Sequence, residues 1–295
     1  MSTAAKRIVA TGASSGLGFE LVKQLLGQSQ PYKLILGVRD APKTEAAYKS
    51  LGFDTTKHSL TVLPLELSDL KNTRDFARRT LEELGDNKVD YLLLNAALSD
   101  GSENPGPNGS KWSKPYIVNH LSQHYLVHLL REKLVESKSR LIFVSSGAIC
   151  EVEDPDVLEH HMRGGSGIPG IKLYGETKFI QFLAAHWWRR ELTGQCVVVA
   201  VSPGLVPGTG LARGSGLKFP ANMPGAKSVP EGATSILAAF TRDDFPEDPE
   251  QLFLTSWGEW WPKDVYKKTL DRALQEKWSP SKEDIEREEG LLSES

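Results

Sequence analysis

The sequence predicts an α/β fold in which one doubly wound parallel sheet carries helices on both faces, within a single domain of residues 1–295. Two observations lead to this prediction. Short apolar runs alternate with segments of helical periodicity, which is typical of right-handed βαβ units. A glycine-rich segment, residues 11–18, follows the first apolar run and precedes the first helical segment, as a phosphate-binding loop does in a Rossmann-like fold.

Each predicted strand is a short apolar run, and each predicted helix has an apolar stripe at helical spacing. The strands are predicted at 6–10, Tyr32–Val38, 60–65, 90–94, Arg140–Val144 and 196–201. The helices are predicted at 19–26, after the capping residue Asp40, and at Leu70–Leu84, 115–130 and 174–192. The acidic stretch 283–289 is expected to be a solvated helix or tail.

Small or polar residues follow the carboxyl ends of these strands: Gly12, Arg39, Asn95, Ser146 and Pro203. Open parallel sheets bind ligands at that edge. We therefore expect these positions to line one crevice.

The glycine-rich segment has the sequence Thr-Gly-Ala-Ser-Ser-Gly-Leu-Gly. In this interpretation Gly12 allows a tight turn, Gly16 lets the backbone approach a pyrophosphate, and Gly18 lets helix and strand pack closely. The helix N-terminus supplies free N–H groups for the anion. The alternative is an ordinary Gly/Ser turn.

This glycine spacing, with Thr11 in front, resembles that of the short-chain dehydrogenase/reductase family, and the resemblance extends along nearly the whole chain. It identifies Asn119, Ser146, Tyr174 and Lys178 as the catalytic set. It also implies that the last strand precedes the aromatic segment 257–262. The expected cofactor contacts are Thr11, Gly12, Ser14, Ser15, Gly16, Leu17, Gly18, Arg39, Glu66, Leu67, Asn95, Ala96, Tyr174, Lys178, Pro203, Gly204 and Thr209. The most similar members reduce retinoids or protochlorophyllide.

The chemistry of this set is a hydride transfer coupled to a proton transfer. Reduction of a carbonyl leaves an alkoxide, so an acid is needed beside the carbonyl oxygen. Lys178, four residues after Tyr174 on a helix, is placed to lower the pKa of the tyrosine, which is the expected general acid or base. Ser146 can hold the carbonyl oxygen by a hydrogen bond. The resemblance implies that Asn119 holds a water that links Lys178 to solvent.

Arg39 at the end of the second strand predicts NADP(H), because an arginine there can pair with the 2′-phosphate. Asp40 offers the alternative of an acidic ribose reader typical of NAD, although we interpret it as a helix cap. Two residues depart from the family pattern: Glu66 replaces an aspartate at the adenine, and Ala97 replaces a glycine after Asn95-Ala96.

Three segments interrupt the alternation of strands and helices: residues 99–114, 149–171 and about 204–229. The first is expected to be a mobile surface loop, and the family resemblance implies that the third closes over the substrate. The aromatic and acidic extension, about 255–295, either walls the substrate pocket or anchors the tail. Together with Trp112, its tryptophans hint at a flat or hydrophobic substrate.

Composition excludes several other classes. The net charge of −3 gives no general attraction to nucleic acid, and no apolar run is long enough to be an integral membrane segment. Two cysteines without a signal peptide favour a reducing, cytoplasmic location and no disulfide framework. His120, His124 and His128 have helical spacing, but nothing obvious completes a metal site, so no metal is expected. The expected assembly is a monomer or homodimer.

The sequence therefore predicts an NADP-dependent oxidoreductase acting on a hydrophobic small-molecule carbonyl or alcohol. Reduction of a C=C bond or a non-redox step on the same scaffold is the enzymatic alternative. The non-enzymatic alternative is an NADPH-binding sensor or scaffold. A sensor does not need all four catalytic residues, so their presence argues against it.

Overall fold

The computed structural model describes residues 4–212, 220 and 222–292, and it contains one seven-stranded parallel sheet in the order β3-β2-β1-β4-β5-β6-β7. The strands are β1 Lys6–Thr11, β2 Tyr32–Val38, β3 Ser59–Pro64, β4 Tyr91–Leu94, β5 Arg140–Val144, β6 Val197–Val201 and β7 Phe253–Leu254. β1 pairs with β2 on one side and with β4 on the other, so the strand order reverses there. The predicted doubly wound α/β fold is confirmed.

The helices alternate with these strands as predicted. They are α1 Gly16–Leu26, α2 Ala41–Lys49, α3 Leu70–Leu84, α4 Lys114–Tyr116, α5 Ser122–Ser137, α6 Leu158–His161, α7 Gly170–Glu191, α8 Val229–Thr241, α9 Arg272–Lys277 and α10 Lys282–Glu288. A π-helical turn, Ile117–Leu121, joins α4 to α5. α7 begins four residues before Tyr174, so this tyrosine lies in the second turn of the helix and not at its start.

The core has two layers because successive strand residues point to opposite faces of the sheet. Val9 belongs to the layer under α3, α5 and α7, whereas its neighbours Ile8 and Ala10 belong to the layer under α1, α2 and α8. Leu92 and Leu93 divide in the same way. This alternation fixes which strand ends face the cleft.

The acidic stretch 283–289 was expected to be a solvated helix or tail. It forms the helix α10, but one side of that helix packs on α5 and does not face solvent. Ile285 of α10 is 2% exposed, and the Tyr125 hydroxyl of α5 donates to Glu286 at 2.7 Å. Glu283, Arg287 and Glu288 are exposed, whereas Ile285 and Glu286 face α5, a pattern that the acidic composition does not reveal. His120 and His124 bond to the carbonyls of Trp278 and Pro280 at 2.8 and 2.9 Å, so these imidazoles help to anchor the tail.

The expected surface loop 99–114 is held by the segment that precedes α7. Ser102 N donates to the Ile168 carbonyl at 3.0 Å, and Ser113 N donates to the Met162 carbonyl at 2.7 Å. Trp112 packs against Tyr116 and Trp278 with ring centroids 4.9 and 6.2 Å away. It is not among the residues that line the cleft at the carboxyl edge of the sheet, so the structure gives no support to the predicted link between Trp112 and the substrate.

Part of the expected substrate loop, residues 213–219 and 221, and the end of the extension, residues 293–295, lie outside the described residues. Among the helices that the structure describes, none is both long enough and apolar enough to cross a membrane.

Candidate active site

A cleft of about 470 Å³ lies at the carboxyl edge of the sheet. It brings together seventeen positions that the sequence assigned to catalysis or cofactor binding, many of them far apart in the chain. They are Gly12, Ser14, Ser15, Gly16, Leu17, Gly18, Arg39, Glu66, Leu67, Asn95, Ala96, Ser146, Tyr174, Lys178, Pro203, Gly204 and Thr209. Thr11 and Asn119 are fully buried and lie behind the wall.

The glycine loop has the geometry that its sequence predicted at two positions. Gly12 has a φ of +69°, and a Cβ there would lie 2.6 Å from the Cα of Ala96. A Cβ on Gly18 would lie 2.2 Å from the Gly12 carbonyl oxygen. A side chain at position 12 would therefore push the loop away from the segment after β4, and one at position 18 would push α1 away from the end of β1.

The start of α1 fits an anionic ligand. Ser15 precedes the helix in an extended conformation and makes no side-chain capping bond, so N–H groups of the first turn stay available to the cleft. Gly16 faces Thr209 across the opening, with a Cβ position 3.5 Å from the Thr209 Cβ. This arrangement suits a pyrophosphate.

Thr11 and Asn95 hold the loop from behind. The Thr11 hydroxyl accepts from the backbone N–H groups of Asn95 and Ala96, both at 3.1 Å. The Asn95 amide donates to the Gly12 carbonyl at 3.0 Å. These bonds fasten the end of β1 to the end of β4, so Thr11 supports the loop and does not itself reach the cleft.

Ser146 and Tyr174 meet at the opposite end of the cleft. Ser146 follows β5, and its hydroxyl accepts from Ala148 N at 3.2 Å. Burial raises the pKa of Tyr174 to about 12, while a side-chain hydrogen bond with Ser146 acts in the opposite direction. Tyr174 is therefore a neutral phenol at neutral pH, the form that can donate a proton.

Lys178 lies beside this pair at the floor of the cleft. Its ammonium donates to the Val144 carbonyl at 2.8 Å and to Gln181 Oε1 at 3.1 Å, and it lies 6.0 Å from the Tyr174 ring centroid. Burial lowers the pKa of Lys178 to about 7. The expectation that Lys178 lowers the pKa of Tyr174 is not met in the protein alone, because burial of the phenol has the larger effect.

Asn119 lies in the π-helical turn and is committed to protein partners. Its amide nitrogen donates to the Leu98 carbonyl and to the Thr177 hydroxyl, both at 2.9 Å, and its Oδ1 accepts from Leu98 N at 2.8 Å. The side chain thus joins α7 to the segment after β4. π-Helical turns are frequent at functional sites.

Arg39 and Asp40 have different roles at the end of β2. Arg39 is exposed and lines the cleft, whereas Asp40 does not. The Asp40 carboxylate accepts from Lys43 N at 3.0 Å and caps α2, as predicted. Arg39 is therefore the charged side chain available to a ligand here. Glu66 lines the neighbouring wall, with one oxygen bound by Ser68.

The aromatic extension borders the catalytic end. Trp261 Cη2 lies 3.4 Å from the position that a Cβ would take on Gly147, directly after Ser146. Trp257 is 60% exposed, with its ring 6.1 Å from that of Trp261. Trp278 of the extension is buried against Trp112 and Tyr116, as the anchoring alternative expects. Trp257 and Trp261 are not among the residues that line the cleft, so a wall of the substrate pocket formed by the extension stays a prediction.

Sequence reasoning missed the residues that support the set from inside. Gln123 and Gln181 are both 1% exposed and bond to the carbonyl of Asn119 at 3.1 Å. Asp100 and Lys114 line the cleft, 3.8 Å apart. Gln181 lies three residues after Lys178, a helical spacing that could have revealed it.

Comparisons with known proteins identify the family of the chain. A family model described as short chain dehydrogenase matches residues 6–154. A short-chain dehydrogenase/reductase of Pestalotiopsis microspora is 54% identical over 290 residues, which cover 97% of this chain and 99% of that protein. Retinol dehydrogenase 13 of Homo sapiens is 32% identical, over 72% of this chain and 62% of its own length.

Two further likenesses complete the comparison. Chloroplastic protochlorophyllide reductase B of Oryza sativa subsp. japonica is 29% identical over 70% of this chain and 56% of its own length. The crystal structure of NADPH-bound carbonyl reductase from chicken fatty liver has a TM-score of 0.64 at 19% identity, covering 87% of this chain and 98% of that one, and it shares the fold. The protein belongs to the short-chain dehydrogenase/reductase family of oxidoreductases and has relatives among the retinol dehydrogenases and protochlorophyllide reductases.

Proposed function

We propose that the protein transfers a hydride between NADP(H) and the carbonyl or alcohol carbon of a hydrophobic small molecule. The observation that carries the proposal is the meeting of Ser146, Tyr174 and Lys178 at one end of a cleft whose other end is the glycine loop and Arg39. When bound, the nicotinamide supplies or accepts the hydride. Ser146 would hold the carbonyl oxygen, and Tyr174 would give it a proton.

The raised pKa of Tyr174 favours reduction, because the protonated phenol can donate its proton without a nearby cation. Its phenol keeps the proton far above neutral pH because burial opposes ionisation. Oxidation of an alcohol would require the phenolate, which burial disfavours in the protein alone.

Arg39 supports NADP(H) over NAD(H). Its guanidinium is exposed at the cleft and free of the capping bond that engages Asp40. Two structural neighbours, at 19% and 20% identity, are complexes with NADPH and with 5-hydroxy-NADP. For the substrate, Trp257 and Trp261 support an apolar group at the catalytic end. A cytoplasmic location and a monomer or homodimer stay predictions.

The test is fluorescence titration of the protein with NADPH and NADH, beside Arg39→Ala. We expect NADPH to bind more tightly to the wild type, and the variant to lose about 10- to 100-fold in NADPH affinity, because a charge-assisted hydrogen bond contributes about 1.5–3 kcal/mol. NADH affinity should stay nearly constant. Lys43→Ala is the matched control, since Lys43 is an exposed cation on α2 that does not line the cleft. Stronger binding of NADH by the wild type would reject the NADP(H) assignment.

A further inference from the structure

A chain of buried hydrogen bonds leads from Lys178 into the interior behind the cleft. The Lys178 ammonium donates to Gln181 Oε1 at 3.1 Å, and Gln181 Nε2 donates to the Asn119 carbonyl at 3.1 Å. Gln181 is 1% exposed and does not line the cleft. Its carboxamide fills the space between the ammonium and that carbonyl.

The chemistry of the two neighbours explains why a glutamine fits there. An ammonium can only donate and a carbonyl can only accept, whereas a carboxamide has one accepting end and one donating end. Both ends of Gln181 are therefore used, and its orientation is fixed by its neighbours. A carboxylate would lack the donor, and an apolar side chain would lack both groups.

A second glutamine shares the same carbonyl but serves another part of the site. Gln123 Nε2 donates to the carbonyls of Asn119 at 3.1 Å and Ala96 at 2.9 Å. Its Oε1 accepts from the Thr11 hydroxyl at 3.1 Å. Gln123 thus supports the glycine loop, and it makes no hydrogen bond to Lys178 among the described residues.

The surroundings of the Lys178 ammonium are otherwise uncharged. β5 contributes the Val144 carbonyl at 2.8 Å, and Tyr174 is the titratable group nearest on its own helix. His120, the ionisable residue of the π-helical turn, bonds instead to the Trp278 carbonyl. Within the described part of the chain, no carboxylate pairs with this lysine, and burial is what lowers its pKa. Among the described residues, Gln181 is therefore the one whose side-chain oxygen accepts a hydrogen bond from this ammonium.

We infer that Gln181 is a positioning residue for Lys178, and that its carboxamide takes the place that the family resemblance gives to a water between Asn119 and the lysine. A carboxamide nitrogen is a donor and does not accept a proton. Protons therefore exchange with Lys178 from the cleft and do not pass through the interior. The catalytic consequence of this inference rests on the proposed function, whereas the contact itself does not.

The test is a titration of Lys178 by NMR in the full chain carrying isotope-labelled lysine, with Lys178→Met to assign the signal. Gln181→Met keeps the shape and removes the acceptor, so the pKa of Lys178 should fall by about half a unit or more. Gln181→Glu adds an opposite charge, so the pKa should rise by about one unit or more. Gln123→Met, the matched control, should leave the pKa within about 0.2 units of the wild-type value.

Opposite shifts in the two Gln181 variants support the inference, because general damage to the fold would not change sign with the charge. An unmoved pKa in folded Gln181→Met and Gln181→Glu overturns it, whatever the enzyme catalyses. If the Met variant does not fold, Gln181→Asn, which is one methylene shorter, is judged by the same criterion. Opposite shifts without any change in the pH dependence of turnover would uphold the contact and reject the proposed role of Lys178.

Discussion

The two ends of the cleft are constructed from different parts of the polypeptide. At the cofactor end, contiguous residues 12–18 present backbone, and small residues are required because Ala96 and the Gly12 carbonyl come so close. At the catalytic end, side chains from Ser146, Tyr174 and Lys178 converge, and tryptophans of the C-terminal extension border them. Changes at the first end should affect binding of the cofactor, and changes at the second should affect turnover and substrate choice.

Tyr174→Phe should separate the two ends most strongly. We expect turnover of a carbonyl substrate to fall about 10²- to 10⁴-fold, since the general acid is lost. The affinity for NADPH should change by less than about threefold, because the hydroxyl contributes little to binding of the cofactor. Stopped-flow reduction and fluorescence titration measure the two quantities. A variant that keeps more than about a tenth of wild-type turnover would reject the acid role of Tyr174.

Trp278→Ala tests whether the extension stabilises the fold as well as bordering the site. Trp278 is 3% exposed and packs on Trp112 and Tyr116, so its truncation should lower the free energy of unfolding by about 3–5 kcal/mol. Urea denaturation measures the change. Trp257→Ala, at a side chain that is 60% exposed, should cost less than about 0.5 kcal/mol. Equal effects of the two substitutions would contradict the anchoring role of Trp278.

The pH dependence of kcat/KM for NADPH should report the state of Lys178 in the free enzyme. The ammonium is present below its pKa of about 7 and is lost as the pH rises through that value. Tyr174, with a pKa of about 12, stays protonated throughout. We therefore expect a decline of up to about tenfold per pH unit above neutrality. Lys178→Arg, which keeps its charge, should lose this decline even if it is slower, and a persistent decline would assign the titration to another group.

Trp261→Leu should have the smallest effect and should change substrate preference. Removal of its ring beside Gly147 loses about 1–2 kcal/mol of apolar contact with a bulky ketone, so KM should rise about 5- to 30-fold. A small aliphatic ketone should be unaffected, which provides the internal control. Steady-state kinetics with both ketones measure the difference. A parallel loss with both would show that Trp261 supports the fold and does not select the substrate.

The cofactor end could be predicted from the sequence because backbone geometry leaves so few residue types. Gly12 and Gly18 are each required by one close contact. The strand before the loop and the helix after it can be recognised from the periodicity of their apolar residues. The parallel arrangement of the sheet and the crevice at its edge follow from the alternation of strands and helices. Tyr174 and Lys178 were found by resemblance, since their spacing alone is common.

The remaining features of the site and of the C-terminal segment depend on contacts between residues far apart in the chain, which no local sequence pattern encodes. The contacts of Gln123 and Gln181 join helices to the same buried carbonyl, and nothing in the composition marks either residue. The charge of the acidic stretch around Ile285 predicts that this stretch is exposed to solvent. The buried side chain of Ile285 nevertheless packs the helix against α5. The pKa of Tyr174 was expected to fall because a cation lies nearby in sequence, but burial and the actual direction of Lys178 decide it.

The central claim is that hydride passes from the nicotinamide to a carbonyl carbon at Tyr174. The most direct test uses NADPH that carries deuterium at its transferable position and an aromatic conjugated enone as substrate, with the product examined by NMR. We predict deuterium on the carbinol carbon of an allylic alcohol, formed at least about 100-fold more slowly by Tyr174→Phe. Deuterium at the carbon β to an intact carbonyl would contradict the account and assign the enzyme to C=C reduction.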